Sequence, residues 1–383
     1  MCLFFSMHHP RNLASEYEKF FVNNVDYDNR NSVQAIHYAV KLLYSLHARR
    51  RIEALIRREK PDVAHINNIY HQISPSIIHS LKKFRIPMVM TLRDYKPVCA
   101  SYSMFAGNGV CEACRGRNYY HCALKKCVKG SRLKSILNSL EMYFHHGLLH
   151  IYDKVDLFIS PSRFLKEKTK EMGFRGRIEY LSNFVQVDEY QPRFDWQERS
   201  IVYFGRLSRE KGLVTLLKAM QKLPDITLKM IGEGPLRGLL EQEVANRKLR
   251  NVRFLGYKNQ DELNEEVKRS MFVVLPSEWY ENNPRTIIEG FALGKPAVGA
   301  RIGGIPELIR DNETGLTFEP GNVEDLAEKI EMLAADLDRI KALGKHARQS
   351  VEKEFNPEKH YKKLIKIYND VIDKNCETNT YEE

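Results

Sequence analysis

Two cationic side chains lie beside a glycine turn in the C-terminal half of the chain. Gly205, Arg206 and Lys211 follow the apolar run 200–204 and precede a stretch with helical spacing. A glycine lets the backbone approach a ligand closely, and the first N–H groups of the next helix favour an anion. This combination suits a diphosphate. The alternative is an ordinary turn with incidental surface charges.

Two acids eight residues apart, Glu281 and Glu289, form a second candidate group. Glu281 precedes a helix predicted over 286–293, and Glu289 lies about two turns inside it, so we expect both carboxylates to face one cleft. The alternative is that packing below the helix cap satisfies Glu289. The start of this helix offers free N–H groups to phosphate oxygens, near Asn283, Pro284, Arg285 and Thr286.

Further glycine turns occur at 232–235 and at 303–304, each before a predicted helix. Each turn is a weak signal alone. These two turns, the loop with Lys211 and the loop with Glu281 follow successive predicted strands. Together the four loops indicate a ligand site at one edge of a sheet.

Short apolar runs alternate with amphipathic stretches along most of the chain, and this alternation predicts parallel sheets covered by helices on both faces. A polar segment with a proline, 190–197, is a candidate linker. We therefore predict an α/β protein with two Rossmann-like domains facing across a cleft. The predicted divisions are a first domain, a second domain, a helix that packs back toward the first domain, and a flexible tail, at 1–195, 196–356, 357–375 and 376–383.

The 383-residue chain carries a formal net charge of +11. It has neither an apolar run as long as a membrane span nor a signal-peptide pattern at its start, and so we expect a cytoplasmic protein. Its basic residues are unevenly distributed along the chain, because seven of them occur in succession with no acidic residue between them. They indicate either a solvated basic face or peripheral contact with an anionic membrane. These residues are Arg115, Arg117, Lys125, Lys126, Lys129, Arg132 and Lys134.

Five of the seven cysteines lie in one segment, predicted as an insertion over about 97–135. Cys111 and Cys114 have the spacing of a zinc knuckle, and Cys122 and Cys127 complete four thiolates, with Cys99 as an alternative ligand. Disulfides are rare in a reducing cytosol. The cluster therefore predicts a structural metal, zinc before an iron–sulfur cluster, with free thiols as the alternative.

The segment from about 200 to 325 resembles the retaining glycosyltransferases of family 4, also called glycosyl transferases group 1, which have the GT-B fold. The marks of this resemblance are the turn with Arg206 and Lys211, the acid pair, and the motifs of 289–296, 302–307 and 311–316. The first half is a looser match, through 62–68, 91–95 and 160–164, with Asn183 before the linker.

The resemblance implies an enzyme that transfers a hexose from a UDP- or GDP-sugar to a saccharide or lipid-linked acceptor, in surface-polysaccharide or glycolipid assembly. It implies that Arg206 and Lys211 neutralise the donor diphosphate, that Glu281 holds the sugar hydroxyls and that Glu289 holds the ribose. The main chain at Gly232, Gly256 and Tyr257 would border the nucleotide. Asp-x-Asp occurs at 26–28 and at 336–338, outside these candidate loops, and we expect no catalytic metal, since fixed cations can replace one.

Two departures from the family bear on activity. Arg93 stands where many members have a histidine; it can contact phosphate but cannot act as a neutral base. The family also usually opens with a strand and a Gly-Gly loop, and this chain begins at what resembles the following segment. An alternative is therefore a catalytically impaired nucleotide-sugar binder.

A basic zinc-knuckle protein that binds nucleic acid or an acidic membrane is a further alternative. It leaves the second half of the chain unexplained, and aromatic residues are not interleaved with the basic ones in the way that a base-stacking platform would need. We therefore expect no nucleic-acid partner.

Overall fold

The computed structural model describes residues 1–24, 43–70 and 72–380. Two parallel β-sheets, one in each half of the chain, form its framework, together with a two-stranded hairpin. The strands are β1 (Ala64–Asn67), β2 (Met88–Thr91), β3 (Phe105–Ala106), β4 (Gly109–Val110), β5 (Leu157–Ser160), β6 (Ile178–Tyr180), β7 (Ser200–Phe204), β8 (Thr227–Ile231), β9 (Val252–Gly256), β10 (Val273–Leu275), β11 (Ala297–Ala300) and β12 (Gly315–Phe318).

Helices connect these strands and cover the sheets. They are α1 (Leu46–Glu59), α2 (Ile77–Lys83), α3 (Tyr120–Leu124), α4 (Arg132–Met142), α5 (Arg163–Glu171), α6 (Leu213–Met220), α7 (Arg237–Asn246), α8 (Gln260–Arg269), α9 (Arg285–Ala292), α10 (Ile305–Leu308), α11 (Val323–Ala335), α12 (Leu337–Glu354) and α13 (Pro357–Thr380). A π-helical turn, Tyr143–Leu148, continues α4.

The first sheet has the order β1-β2-β5-β6 and the second has the order β12-β11-β10-β7-β8-β9, with parallel pairing throughout. All residues of β2, β5 and β7 are buried, because helices cover both faces of each sheet. In the second sheet the chain passes from β7 to β8 and β9 on one side. It then returns to β10, which lies on the other side of β7. Loops after β7 and β10 therefore flank a crevice at the carboxyl ends of these neighbouring strands.

The final helix, α13, packs on the first sheet. Ile367 and Val371 bury their side chains against Val89, Leu157 and Ile159. The predicted return of the last helix toward the first domain is thus present. α13 extends as a helix through Thr380, and the flexible tail expected over 376–383 stays a prediction. Residues 381–383 lie outside the described part of the chain.

Most predicted strands and helices agree with the structure to within a few residues. Elements that the alternation of apolar runs did not single out include β6, β12, the β3–β4 hairpin and the helices α1, α11 and α12. β12 holds the edge of the second sheet next to β11. None of the helices in the described ranges combines the length and the hydrophobicity that a membrane span requires.

Candidate active site

The loops after β7 and β10 meet in the crevice of the second sheet. The first loop carries Gly205, Arg206 and a short 3-10 turn, Arg209–Lys211; the second runs from Pro276 to Pro284. At Gly212, φ is +65° and a Cβ atom would lie 1.9 Å from the carbonyl oxygen of Pro276. The two loops can approach this closely only because position 212 has no side chain.

Lys211 and Glu281 form the central ion pair of this crevice. Lys211 Nζ lies 2.6 Å from Glu281 Oε1, and the same carboxylate oxygen accepts a hydrogen bond of 2.6 Å from the Ser277 hydroxyl. The Lys211 side chain is 19% exposed and that of Glu281 is 6% exposed, so little water screens the pair. Lys211 Nζ also lies 5.3 Å from the centre of the Trp279 ring, within cation–π range.

The backbone around Glu281 is held by the glycine turn before α10. The Gly304 N–H donates to the Glu281 carbonyl over 2.7 Å. A Cβ atom at Gly304 would lie 1.8 Å from the Asn282 carbonyl oxygen, and one at Gly303, where φ is +61°, would lie 2.4 Å from that of Glu281. The predicted Gly-Gly turn therefore serves close backbone packing here and fixes the loop that carries the acid.

Arg206 and Gly205 line the same crevice. Arg206 is exposed, while its carbonyl accepts a hydrogen bond of 2.8 Å from the buried Tyr203 hydroxyl. Gly205 has φ +147°. A Cβ atom at Gly232, where φ is +129°, would lie 2.0 Å from the Gly205 carbonyl oxygen. Gly205 and Gly232, both predicted to border the nucleotide, thus pack directly against each other.

Gly256 is the last residue of β9, and Tyr257 follows the strand. The Gly256 carbonyl accepts from the Gly232 N–H over 2.8 Å, and Gly256 has φ +67°. The Tyr257 side chain is 78% exposed. The main chain of β9 is therefore tied to the loop after β8.

The second acid, Glu289, lies inside α9, one turn after Arg285. An Arg285 nitrogen lies 3.0 Å from Glu289 Oε1; the arginine is 62% exposed and the acid 13% exposed. Burial raises the pKa of Glu289 above its usual value, and the charge of Arg285 opposes this rise. The helix begins after Pro284, and Thr286 Oγ1 contacts the Phe204 carbonyl at 3.4 Å, so the start of α9 faces the end of β7.

A series of hydrogen bonds next to the start of α9 connects the two halves of the molecule. Arg93 donates to Asn67 Oδ1 and to Asn183 Oδ1, each over 3.2 Å. Asn183 in turn donates from its backbone N–H to Asn283 Oδ1 over 3.2 Å and from Nδ2 to the Asn283 carbonyl over 3.0 Å. Burial and the charge of Arg285 lower the pKa of Arg93. Arg93 therefore stands between the two halves of the molecule.

Glu307 makes a contact between the halves that the sequence analysis did not identify. Its carboxylate accepts the backbone N–H groups of Arg163 over 2.9 Å and Phe164 over 2.6 Å. These are the first N–H groups of α5, where a carboxylate is favourable. Ser162 Oγ, at the same helix start, donates to Asn282 Oδ1 over 3.0 Å. The only sequence signal was that Glu307 belongs to a family motif.

The cysteine-rich insertion reaches the mouth of the crevice. Tyr280 donates its hydroxyl to a Glu112 carboxylate oxygen over 2.7 Å, and Lys168 donates to the same oxygen over 2.8 Å. Arg209, on the loop after β7, contacts Asn108 at the tip of the β3–β4 hairpin. The insertion thus borders the site from the side of the first sheet.

The five cysteines of the insertion line one small pocket, as the sequence predicts for a shared site. Within it, the thiol of Cys99 neighbours that of Cys114, and the thiol of Cys122 neighbours that of Cys127. Cys111 Sγ accepts from Lys125 Nζ over 3.4 Å instead. Across the described ranges, no group of three or more His, Cys, Asp or Glu side chains has the spacing to hold an ion. The donor atoms suit zinc, and metal binding stays a prediction.

Two family models match successive parts of the chain. The model described as glycosyl transferases group 1 matches residues 187–350, and the model described as glycosyltransferase family 4 matches residues 7–189. Together they cover both sheets.

The chain is also similar in sequence to individual proteins. The sulfoquinovosyl transferase of Arabidopsis thaliana is 27% identical over 333 residues, which make up 82% of this chain and 58% of the plant protein. The N-acetyl-alpha-D-glucosaminyl L-malate synthase of Bacillus anthracis is 32% identical over 240 residues, 58% of this chain and 62% of that protein. The matches therefore span about three fifths of the length of these relatives.

Solved structures show the same fold. A sucrose-phosphate synthase from Thermosynechococcus elongatus superposes with a TM-score of 0.67 at 21% identity and covers 87% of this chain and 80% of its own. HepE of Anabaena, solved in complex with UDP and glucose, superposes with a TM-score of 0.63 at 17% identity, covering 84% and 82%. The arrangement of two sheets is the GT-B fold predicted from the sequence.

Proposed function

Because the chain belongs to the group 1 glycosyltransferases of family 4, we propose that it moves a hexose from a nucleotide-diphosphate sugar to a saccharide or lipid-linked acceptor, with retention of configuration at the sugar. The observation that carries this proposal is the nearly buried ion pair of Lys211 and Glu281 at the carboxyl ends of β7 and β10, with Arg206 on the same loop as Lys211. HepE, which has the same fold, was solved with UDP and UDP-glucose.

The proposed donor site uses the polar groups of the crevice. Lys211 and Arg206 face the diphosphate, and the first N–H groups of α9 add a positive dipole end. Glu281 orients the hydroxyls of the sugar, and Glu289 accepts those of the ribose. The backbone of Gly256 and Tyr257 borders the base. Arg93 lies on the opposite wall and contributes a third cation.

The proposed reaction breaks the bond between the anomeric carbon and the diphosphate oxygen while the acceptor hydroxyl attacks from the same face. The leaving phosphate oxygen takes the proton of that hydroxyl. Charge grows on the departing diphosphate, so preorganised cations lower the barrier. Lys211 and Arg206 supply this charge without requiring a divalent metal. We expect the protein to act at the cytoplasmic side of a membrane.

The test begins with ligand binding. We expect UDP or GDP, and one of their sugars, to raise the melting temperature, and purified protein to release nucleoside diphosphate from that sugar when a saccharide is added. NMR of the product should show the anomeric configuration of the donor. Excess chelator should leave the rate unchanged. Binding without release under a broad panel of acceptors would favour the catalytically impaired binder, and no binding at all would contradict the donor site.

We also propose that the cysteine pocket holds one structural zinc ion. Four thiolates suffice for a tetrahedral site, and Cys99 and Cys111 are the candidates to complete a set with Cys114, Cys122 and Cys127. Elemental analysis of purified protein should give about one zinc per chain. Serine at Cys114 should abolish zinc content, whereas serine at the exposed Cys376 should not. Protein that folds and carries neither zinc nor iron would contradict this proposal.

A further inference from the structure

Helix α4 begins at the end of the cysteine-rich insertion. It turns its apolar face toward solvent and its polar face toward the core. Leu133 is 78% exposed, Leu140 is 56% exposed, and Ile136 and Tyr143 extend the same stripe. The spacing of three, four and three residues places these side chains on one face of the helix. A helix at the surface of a globular protein normally turns such a stripe toward the core.

The opposite face of α4 is polar and buried. Ser135, Asn138 and Ser139 are all less than 9% exposed. Ser139 Oγ donates to the Tyr119 carbonyl over 2.8 Å, and Asn138 Nδ2 donates to the Ala100 carbonyl over 3.1 Å. Because backbone carbonyls of the insertion satisfy these groups, the polar face is held inward and the leucines cannot rotate into the core.

Neighbouring elements extend the exposed apolar surface. Leu148, in the π-helical turn after α4, is 71% exposed. On α3, Tyr120 and Leu124 are 49% and 63% exposed, and the Tyr120 N–H donates to the Tyr143 hydroxyl over 3.4 Å, which joins the two helices. We call this set the apolar ridge; it consists of Tyr120, Leu124, Leu133, Ile136, Leu140, Tyr143 and Leu148.

Cations flank the apolar ridge, and the acid within its span, Glu141, is buried. Residues 113–140 contain seven lysines and arginines and no aspartate or glutamate. Lys126, Arg132 and Lys134 are exposed. The combination of protruding leucines and tyrosines with flanking cations is typical of helices that lie in the interface of an anionic bilayer. A protein partner would more often match the cations with acids of its own.

We propose that the apolar ridge docks on an anionic lipid surface, with Leu133, Leu140 and Leu148 inserted at the level of the headgroups and the flanking cations on lipid phosphates. The same insertion carries Glu112, which binds Tyr280 at the crevice. A docked molecule would therefore hold its crevice close to the bilayer. The inference does not depend on the transfer reaction, because lipid binding is measurable without a sugar donor.

The test is sedimentation of the full chain with vesicles of phosphatidylcholine alone and of equal parts phosphatidylcholine and phosphatidylglycerol. We expect binding to the anionic vesicles that weakens as salt rises, because the cationic contribution is screened. Changing both Leu133 and Leu140 to serine should lower the vesicle partition coefficient at least about tenfold, since each leucine contributes apolar area. These side chains are exposed, so the double variant should keep its melting temperature.

Leu239→Ser supplies the matched control, because Leu239 is 46% exposed on α7 of the other half. It should bind vesicles like the unchanged protein. Charge reversal of Arg132 and Lys134 to glutamate should remove the preference for anionic vesicles. Vesicle binding that the double leucine variant retains in full would overturn the proposal. A dimer in light scattering that the same variant abolishes, without vesicle binding by the unchanged protein, would instead identify the ridge as a contact between copies.

Discussion

The Nζ atom of Lys211 lies 2.6 Å from Oε1 of Glu281, although seventy positions separate the two residues. Each belongs to a loop after a different strand, and Ser277 binds the same carboxylate oxygen. Two nearly buried charges at this distance form one electrostatic unit, so removing either leaves the other without compensation. A substitution at this pair therefore affects both catalysis and stability, and its test must separate them.

Lys211→Ala should lower kcat/KM for sugar transfer about 100-fold or more, because a preorganised cation facing the leaving diphosphate is lost. Diphosphate release measures the rate, and circular dichroism and thermal melting measure the fold. Glu281→Gln combined with Lys211→Met removes both charges and should recover stability but not activity. Lys222→Ala is the control, since Lys222 pairs with Glu324 on the surface. Equal transfer rates for Lys211→Ala and Lys222→Ala would show that Lys211 does not act in the donor site.

Glu307→Gln should loosen the contact between the two halves. The neutral amide loses the charge-assisted acceptance of the Arg163 and Phe164 N–H groups at the start of α5. We expect a larger radius of gyration in small-angle scattering and a slower transfer rate. Glu313→Gln changes an exposed acid in an ion pair with Arg310 and should alter neither quantity. An unchanged radius of gyration for Glu307→Gln would show that the capping contact does not hold the halves together.

Gly304→Ala should displace the loop that carries Glu281. Its Cβ atom would lie 1.8 Å from the Asn282 carbonyl oxygen, and backbone cannot yield as a flexible side chain can. We expect a loss of about 2 kcal/mol or more in the free energy of unfolding, together with impaired transfer. Gly238→Ala is the matched control, because nothing lies within 4 Å of its Cβ position in α7; it should be neutral or slightly stabilising. Similar urea midpoints for the two variants would contradict the packing argument.

Lys295 links stability to pH. The residue is 1% exposed, its Nζ donates to the Asp195 carbonyl over 2.7 Å, and burial lowers its pKa to about 7. Between about pH 7 and the usual lysine pKa near 10.4 the unfolded chain binds the extra proton. The contribution of Lys295 to the free energy of unfolding therefore rises with pH across this window and is lost as pH falls to about 7.

The corresponding experiment compares Lys295→Met with the unchanged protein in urea at pH 7.5 and 9.5. The stability of the variant relative to the unchanged protein should fall by about 2 kcal/mol from the lower to the higher pH. Lysines and tyrosines elsewhere titrate in both proteins and cancel in the difference. A difference that does not change with pH would mean that Lys295 keeps an ordinary pKa.

The order of strands and helices was predictable because short buried runs and glycine turns are local signals. The apolar run at 200–204 corresponds to β7 residue for residue. β6 escaped prediction because only Ile178 of its three residues is buried and apolar, so no apolar run marks the strand. The three glycine turns follow β7, β8 and β11, and at Gly304 close backbone packing against Asn282 accounts for the glycine.

The family, the two-domain α/β plan and the residue types that could bind a diphosphate are evident from the sequence alone, because they depend on local patterns and motif spacing. Which distant groups meet depends on how the chain packs in three dimensions. This packing pairs Lys211 with Glu281, sets Glu307 against the start of α5 and turns the leucines of α4 outward. Periodicity shows that a helix has two faces, but the neighbours that satisfy its polar groups decide which face is buried.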